Sequence, residues 1–74
     1  MNIKLKILTI ISDQLGIDLK DIEPRSYLVE DLNAQEIEIA DIIVKLEKEL
    51  STRLSPEDTT NIKTVQDIID LFIN

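Results

Sequence analysis

Gly16 is the only glycine in a chain of 74 residues, and it closes a segment whose apolar side chains recur at helical spacing. Ile3, Ile7, Ile10 and Ile11, with Leu8 and Leu15 further along, make one broad apolar face. A glycine directly after Leu15 is a natural C-terminal stop, so the spacing predicts a helix from about Ile3 to Leu15. Residues 17–33 show no sustained helical period, and Pro24 opposes a long helix there. Yet Ile17, Leu19, Ile22, Tyr27, Leu28, Val29 and Leu32 make the stretch too apolar for a free loop. We expect a long connection packed onto the core by these anchors, a feature that is uncommon in small domains and often functional.

Helical period resumes from about Ala34 or Glu36 and runs to Leu50. A short third helix is expected after Ser55-Pro56-Glu57-Asp58, where Ser55 caps, Pro56 suits the first position and Asp58 completes a box. A fourth follows Thr64, with Asp67 three residues on and a buried stripe of Val65, Ile68, Ile69 and Phe72. The expected fold is all-α. It is a single domain over residues 1–74, an antiparallel bundle of three main helices plus one short one, with a long loop between helices 1 and 2.

A chain of this length sits near the size at which one core barely sustains folding, but 43% of its residues are hydrophobic. With one Phe, one Tyr and no Trp, aliphatic side chains must fill that core. Cysteine and histidine are both absent, which removes disulfides, Cys/His zinc sites, a thiol nucleophile and the commonest general base. No calcium-loop spacing and no glycine-rich loop is present either, and the carboxylates fall on expected helical surfaces, so an enzyme is not expected. No apolar run approaches the roughly 18 residues needed to span a bilayer. Lys4 and Lys6 precede Ile7-Leu8-Thr9-Ile10-Ile11 as in a very short signal segment, but no small-residue cleavage site follows, and a cytoplasmic location is expected.

The net charge of −7 is unevenly placed. Residues 1–29 are neutral, whereas Glu30, Asp31, Glu36, Glu38, Asp41, Glu47 and Glu49 outnumber Lys45 and Lys48 in residues 30–50. The absence of a basic footprint argues against nucleic acid, and an acidic surface suits a basic protein partner.

Four short stretches carry a resemblance. Gln14-Leu15-Gly16-Ile17, Val29-Glu30-Asp31-Leu32, Leu46-Glu47-Lys48-Glu49-Leu50 and Lys63-Thr64-Val65-Gln66-Asp67 resemble acyl carrier proteins in order and separation, without a gap, over nearly the whole chain. The resemblance implies a four-helix fold that carries acyl groups on a phosphopantetheine arm and docks to synthase enzymes. That family attaches its arm at an Asp-Ser-Leu triplet opening the second helix, and the corresponding positions here read Gln35-Glu36-Ile37. A serine hydroxyl forms the phosphodiester, and a glutamate cannot replace it, so no phosphopantetheine is expected at Glu36. Ser12, Ser26, Ser51 and Ser55 lack that context. Glu36 reads as the partner of Asn33 in a capping box, where a first-turn carboxylate gains ~0.3–1 kcal/mol from the helix dipole. Alternatively it mimics the charge of the phosphodiester toward a partner's basic pocket.

At about 100° per residue, Ile39, Ile42, Ile43, Leu46 and Leu50 fall on one side of the second helix and are expected in the core. Ile37 and Val44 fall nearly opposite, with Asp41, Lys45 and Lys48 around them, Glu36 and Glu47 on one flank, and Glu38 and Glu49 on the other. Two exposed aliphatic residues rimmed by charge look like a docking strip. The expected docking residues are Glu36, Ile37, Asp41, Val44, Glu47 and Lys48. Ile39 and Ile68 stand where the family often leaves room for an acyl chain, so a core without an acyl-sized cavity is expected. The leading expectation is a monomeric carrier-like module without a prosthetic group. It would bind a protein with a basic, partly apolar surface, such as an acyltransferase or synthase component. The alternative is an active carrier modified at an atypical serine.

Overall fold

The computed structural model describes residues 2–73. Three α-helices form: α1 (Ile3–Leu15), α2 (Glu36–Glu49) and α3 (Val65–Phe72), with 3-10 turns at Leu19–Asp21 and Pro56–Thr59. No strand forms among the described residues, and Tyr27 and Thr64 share an isolated antiparallel bridge. The architecture is the expected all-helical bundle. The short third helix is a 3-10 turn of four residues, and the turn at Leu19–Asp21 was not anticipated from the sequence.

Each helix end has a local cause. The Asn2 side chain accepts the Leu5 N–H at 3.0 Å to open α1. Gly16 then adopts φ 67°, where a side chain is strained, and both Gly16 and Ile17 donate N–H groups to the Ser12 carbonyl. The α2 start departs from expectation. Asn33 does not cap it but takes a left-handed φ of 59°, and the N-cap is Gln35. Its N–H is held by the Glu38 carboxylate at 2.8 Å, so Glu38 fills the role expected of Glu36. The reason lies just upstream. Asp31 and Leu32 donate to the Tyr27 carbonyl, Asn33 donates to that of Val29, and Ala34 donates to that of Leu28. These bonds and the burial of Ala34 reverse the chain at Asn33, before a helix can begin.

At the other end of α2, Ser51 takes φ 50°, Thr52 donates to the Glu47 carbonyl at 2.9 Å, and Ser51 donates to that of Lys48 at 3.4 Å. This is the Schellman arrangement with serine where glycine is usual.

The core is wholly aliphatic. Ile7, Ile10 and Ile11 come from α1, Ile42, Ile43 and Leu46 from α2, and Val65, Ile68 and Ile69 from α3. Ile22, Leu28, Leu32 and Ala34 come from the long connection. Ile39, Leu50 and Phe72, all expected in the core, are only half-buried. Of the expected loop anchors, Ile22, Leu28 and Leu32 are buried and Ile17 is half-buried. Leu19, Tyr27 and Val29 are exposed instead, at 41%, 47% and 53%. Full burial of a side chain such as Leu28 is worth about 1.5–3 kcal/mol, and these three buried anchors hold the loop to the core.

The same loop completes α3. Val65 and Gln66, in the first turn, donate their N–H groups to the carbonyls of Ser26 (3.0 Å) and Pro24 (2.7 Å). Asp67 N–H finds Thr64 Oγ1 at 3.1 Å. The donors that a helix start leaves open are thus satisfied, two of them by the distant connection. The Asp67 carboxylate accepts the N–H groups of Lys63 (2.9 Å) and Thr64 (3.0 Å), and these bonds hold it below the ordinary carboxylate range.

A candidate docking face on α2

Ile37 and Val44 are the two most exposed of the large apolar side chains, at 67% and 62%. Asp41 and Lys48 are exposed as well. Positions 37, 41, 44 and 48 lie within about 60° of arc on a helix, and Ile37 to Lys48 spans about 16 Å along its axis. The four therefore form a single stripe pointing away from the buried Ile42, Ile43 and Leu46. Glu36, the first residue of α2, is exposed on its flank.

The carboxylates of this region are not equivalent. Asp31 accepts the Tyr27 N–H at 2.8 Å, Glu38 holds the Gln35 N–H, and Glu49 pairs with Lys6 at 3.5 Å. Glu47 is half-buried, and its Oε2 accepts the Leu54 N–H at 2.7 Å. On α2, Glu36 and Asp41 keep side chains without a hydrogen bond or ion pair among the described residues, as do Lys45 and Lys48. The acid that the sequence places here is largely engaged by the chain itself. On α2 itself the groups left open are two carboxylates in the N-terminal half of the helix and two ammonium groups in the C-terminal half.

Beside this stripe runs an open groove of about 510 Å³. Glu36, Ile39, Ala40, Ile43, Val44 and Glu47 of α2 form one wall, and the segment from Leu54 to Ile62 forms the other. Its volume lies within the ~300–1,000 Å³ range of small-molecule sites. The groove opens on the surface beside α2 and is not a cavity within the core, so it does not contradict the expectation of a core without an acyl-sized cavity. Ile68 is fully buried and takes no part in the groove, whereas Ile39 lies half-buried in its wall. A helical wheel gives the direction of Ile39 but not where the segment after α2 comes to rest. That is why the sequence also missed Ala40, Leu54, Pro56 and Ile62 as lining residues.

Covalent attachment of an arm at the α2 N-terminus does not fit the residues present. No side chain between residues 28 and 50 bears a hydroxyl, and the exposed first position of the helix is the Glu36 carboxylate. The remaining serines are placed elsewhere. The Ser12 hydroxyl donates to the Ile17 carbonyl, Ser26 Oγ accepts the Glu23 N–H at 3.1 Å, and the Ser55 hydroxyl meets Asp58 Oδ2 at 3.0 Å. Ser51 follows the far end of α2, about 22 Å along the axis from Glu36.

Residues 5–72 match the family model described as a phosphopantetheine attachment site. Over 69 residues the chain is 38% identical to an acyl carrier protein of Thermosynechococcus vestitus, covering 93% of this chain and 84% of that protein. It is 36% identical over 72 residues to one of Solidesulfovibrio magneticus, covering 97% and 92%. With one of Buchnera aphidicola subsp. Baizongia pistaciae it shares 40% over 71 residues, covering 96% and 91%. By its fold, by the four stretches in register and by these relatives, the chain belongs to the acyl carrier protein family.

Proposed function

We propose that this chain is a carrier-fold module of acyl metabolism that acts by docking a protein partner through α2 and bears no phosphopantetheine arm. One observation carries the reading: where the family resemblance puts the arm-bearing serine, the exposed first residue of α2 is Glu36, with no hydroxyl from residue 28 to residue 50. A carboxylate cannot be esterified by the phosphopantetheine phosphate as a serine hydroxyl is. The stripe of Ile37, Asp41, Val44 and Lys48 supports the second half of the reading, because exposed aliphatic side chains bounded by charge are what a partner's apolar contacts require. The partner that fits carries cationic groups opposite Glu36 and Asp41, an apolar centre, and carboxylates opposite Lys45 and Lys48. That refines the basic, partly apolar partner surface expected from the sequence. The docking set is Glu36, Ile37, Asp41, Val44 and Lys48. Glu47 contributes to its flank while committed to the Leu54 N–H. In this role the chain is not itself an enzyme, and acyltransferases and synthase components of acyl metabolism are the partner class that recognises the fold.

The reading is tested by incubating the protein with a phosphopantetheinyl transferase and coenzyme A and weighing the product. The wild-type chain is expected to keep its mass, and Glu36→Ser to gain one phosphopantetheine. A gain by the wild-type chain would overturn the reading and favour modification at another serine.

A further inference from the structure

The segment that forms the second wall of the groove is held to α2 in an unusual way. After the Schellman turn, in which Thr52 donates to the Glu47 carbonyl and its hydroxyl to the Leu50 carbonyl, one further hydrogen bond reaches back to the helix. It is the Leu54 N–H to Glu47 Oε2 bond at 2.7 Å. Beyond Leu54 the described hydrogen bonds through Thr60 stay within the segment. Asp58 Oδ2 accepts from Ser55 N–H and hydroxyl, and Thr59 and Thr60 hydroxyls donate to the Pro56 carbonyl. No residue from 50 to 64 is buried, and Leu54 and Ile62 pack on the core only in part.

We infer that Glu47 is a positioning residue: its carboxylate latches the Ser55–Thr60 wall against α2 and thereby sets the width of the groove beside the docking stripe. Glu47 suits the task by its place. It lies in the last turn of α2, on the groove flank, so its side chain meets the chain as it returns past the helix. It serves the turn twice, its backbone carbonyl stopping the helix at Thr52 and its carboxylate receiving Leu54 two residues later. A charged acceptor on a backbone N–H makes a shorter and stronger bond than a neutral one. The half-burial of the pair keeps water from competing fully for it. With the latch released, the wall retains its internal bonds and moves as a short unit, and the groove widens while the three helices keep their packing. What the wall serves rests on the docking reading above, but the latch itself needs no partner to be tested.

Amide hydrogen exchange on the full chain, read residue by residue by NMR, separates the outcomes. In Glu47→Ala, exchange at Leu54 and through residues 55–60 is expected to accelerate by about 10-fold or more, with amides of α1 and α3 within about 2-fold of wild type. Glu47→Gln retains a side-chain oxygen acceptor and is expected to restore most of the protection. Unchanged exchange at Leu54 in Glu47→Ala would overturn the latch. So would equal acceleration in all three helices, which would make Glu47 an ordinary contributor to global stability.

Discussion

The two irregular connections of this chain, residues 17–35 and 50–64, are of similar length and are built in opposite ways. The first sends Ile22, Leu28, Leu32 and Ala34 into the core and lends the carbonyls of Pro24 and Ser26 to the first turn of α3. The second buries no residue and is tied back to α2, past its turn, by the Glu47–Leu54 bond. One connection is part of the folding unit; the other is a wall resting on it. Composition accounts for the contrast. The first stretch carries seven large apolar residues before Asn33, the second only Leu50, Leu54 and Ile62 among serines, threonines and charges. A loop that can bury enough apolar surface outweighs the entropy of ordering it, and one that cannot stays at the surface.

The largest effect expected from breaking this contrast is at Leu28. Leu28→Ala should cost about 2–5 kcal/mol by urea denaturation and lower the whole cooperative transition, whereas Leu54→Ala, removing a half-buried side chain, should cost about 1 kcal/mol. Equal losses would mean that the two connections are not distinct in kind.

A smaller effect is expected where the second connection enters α3. Asp67→Ala should cost about 1–2 kcal/mol by removing the acceptor for the Lys63 and Thr64 N–H groups. The pH dependence has a defined sign. Those bonds hold the folded-state Asp67 below its ordinary value, so its contribution is fully present above the unfolded-state value and is lost as the pH falls through the folded one. Wild-type stability should therefore decline below about pH 4 more steeply than that of Asp67→Ala, measured in parallel denaturant titrations. Identical acid slopes would remove Asp67 as the clamp. The release of the Glu47 latch is the smallest of these effects in global stability and the most local in exchange.

The sequence speaks clearly where period and punctuation coincide. Ile3 to Leu15 is bounded by Gly16, and α3 follows Thr64-Val65-Gln66-Asp67, because caps and glycine stops act through bonds a few residues long. The α2 start is less legible. Asn33 is as good a cap by type as Gln35, and only the turn closed by Tyr27, Leu28 and Val29 decides between them. In the long connection, apolarity without a period does not say which side chains reach the core, so Leu19, Tyr27 and Val29 read as anchors yet lie exposed. On the candidate site, Ile37 and Val44 were visible on a helical wheel because exposure there depends on α2 alone. The groove and the commitment of Glu47 were hidden because both depend on where residues 54–62 return.

The proposed function rests on Glu36 standing where the family resemblance puts the arm-bearing serine, and intact mass tests that proposal most directly. For protein purified from its native cells, a mass equal to that of the bare chain, allowing for methionine processing, is the predicted result. An added phosphopantetheine arm would contradict the account and make this chain a working carrier loaded at a serine outside α2.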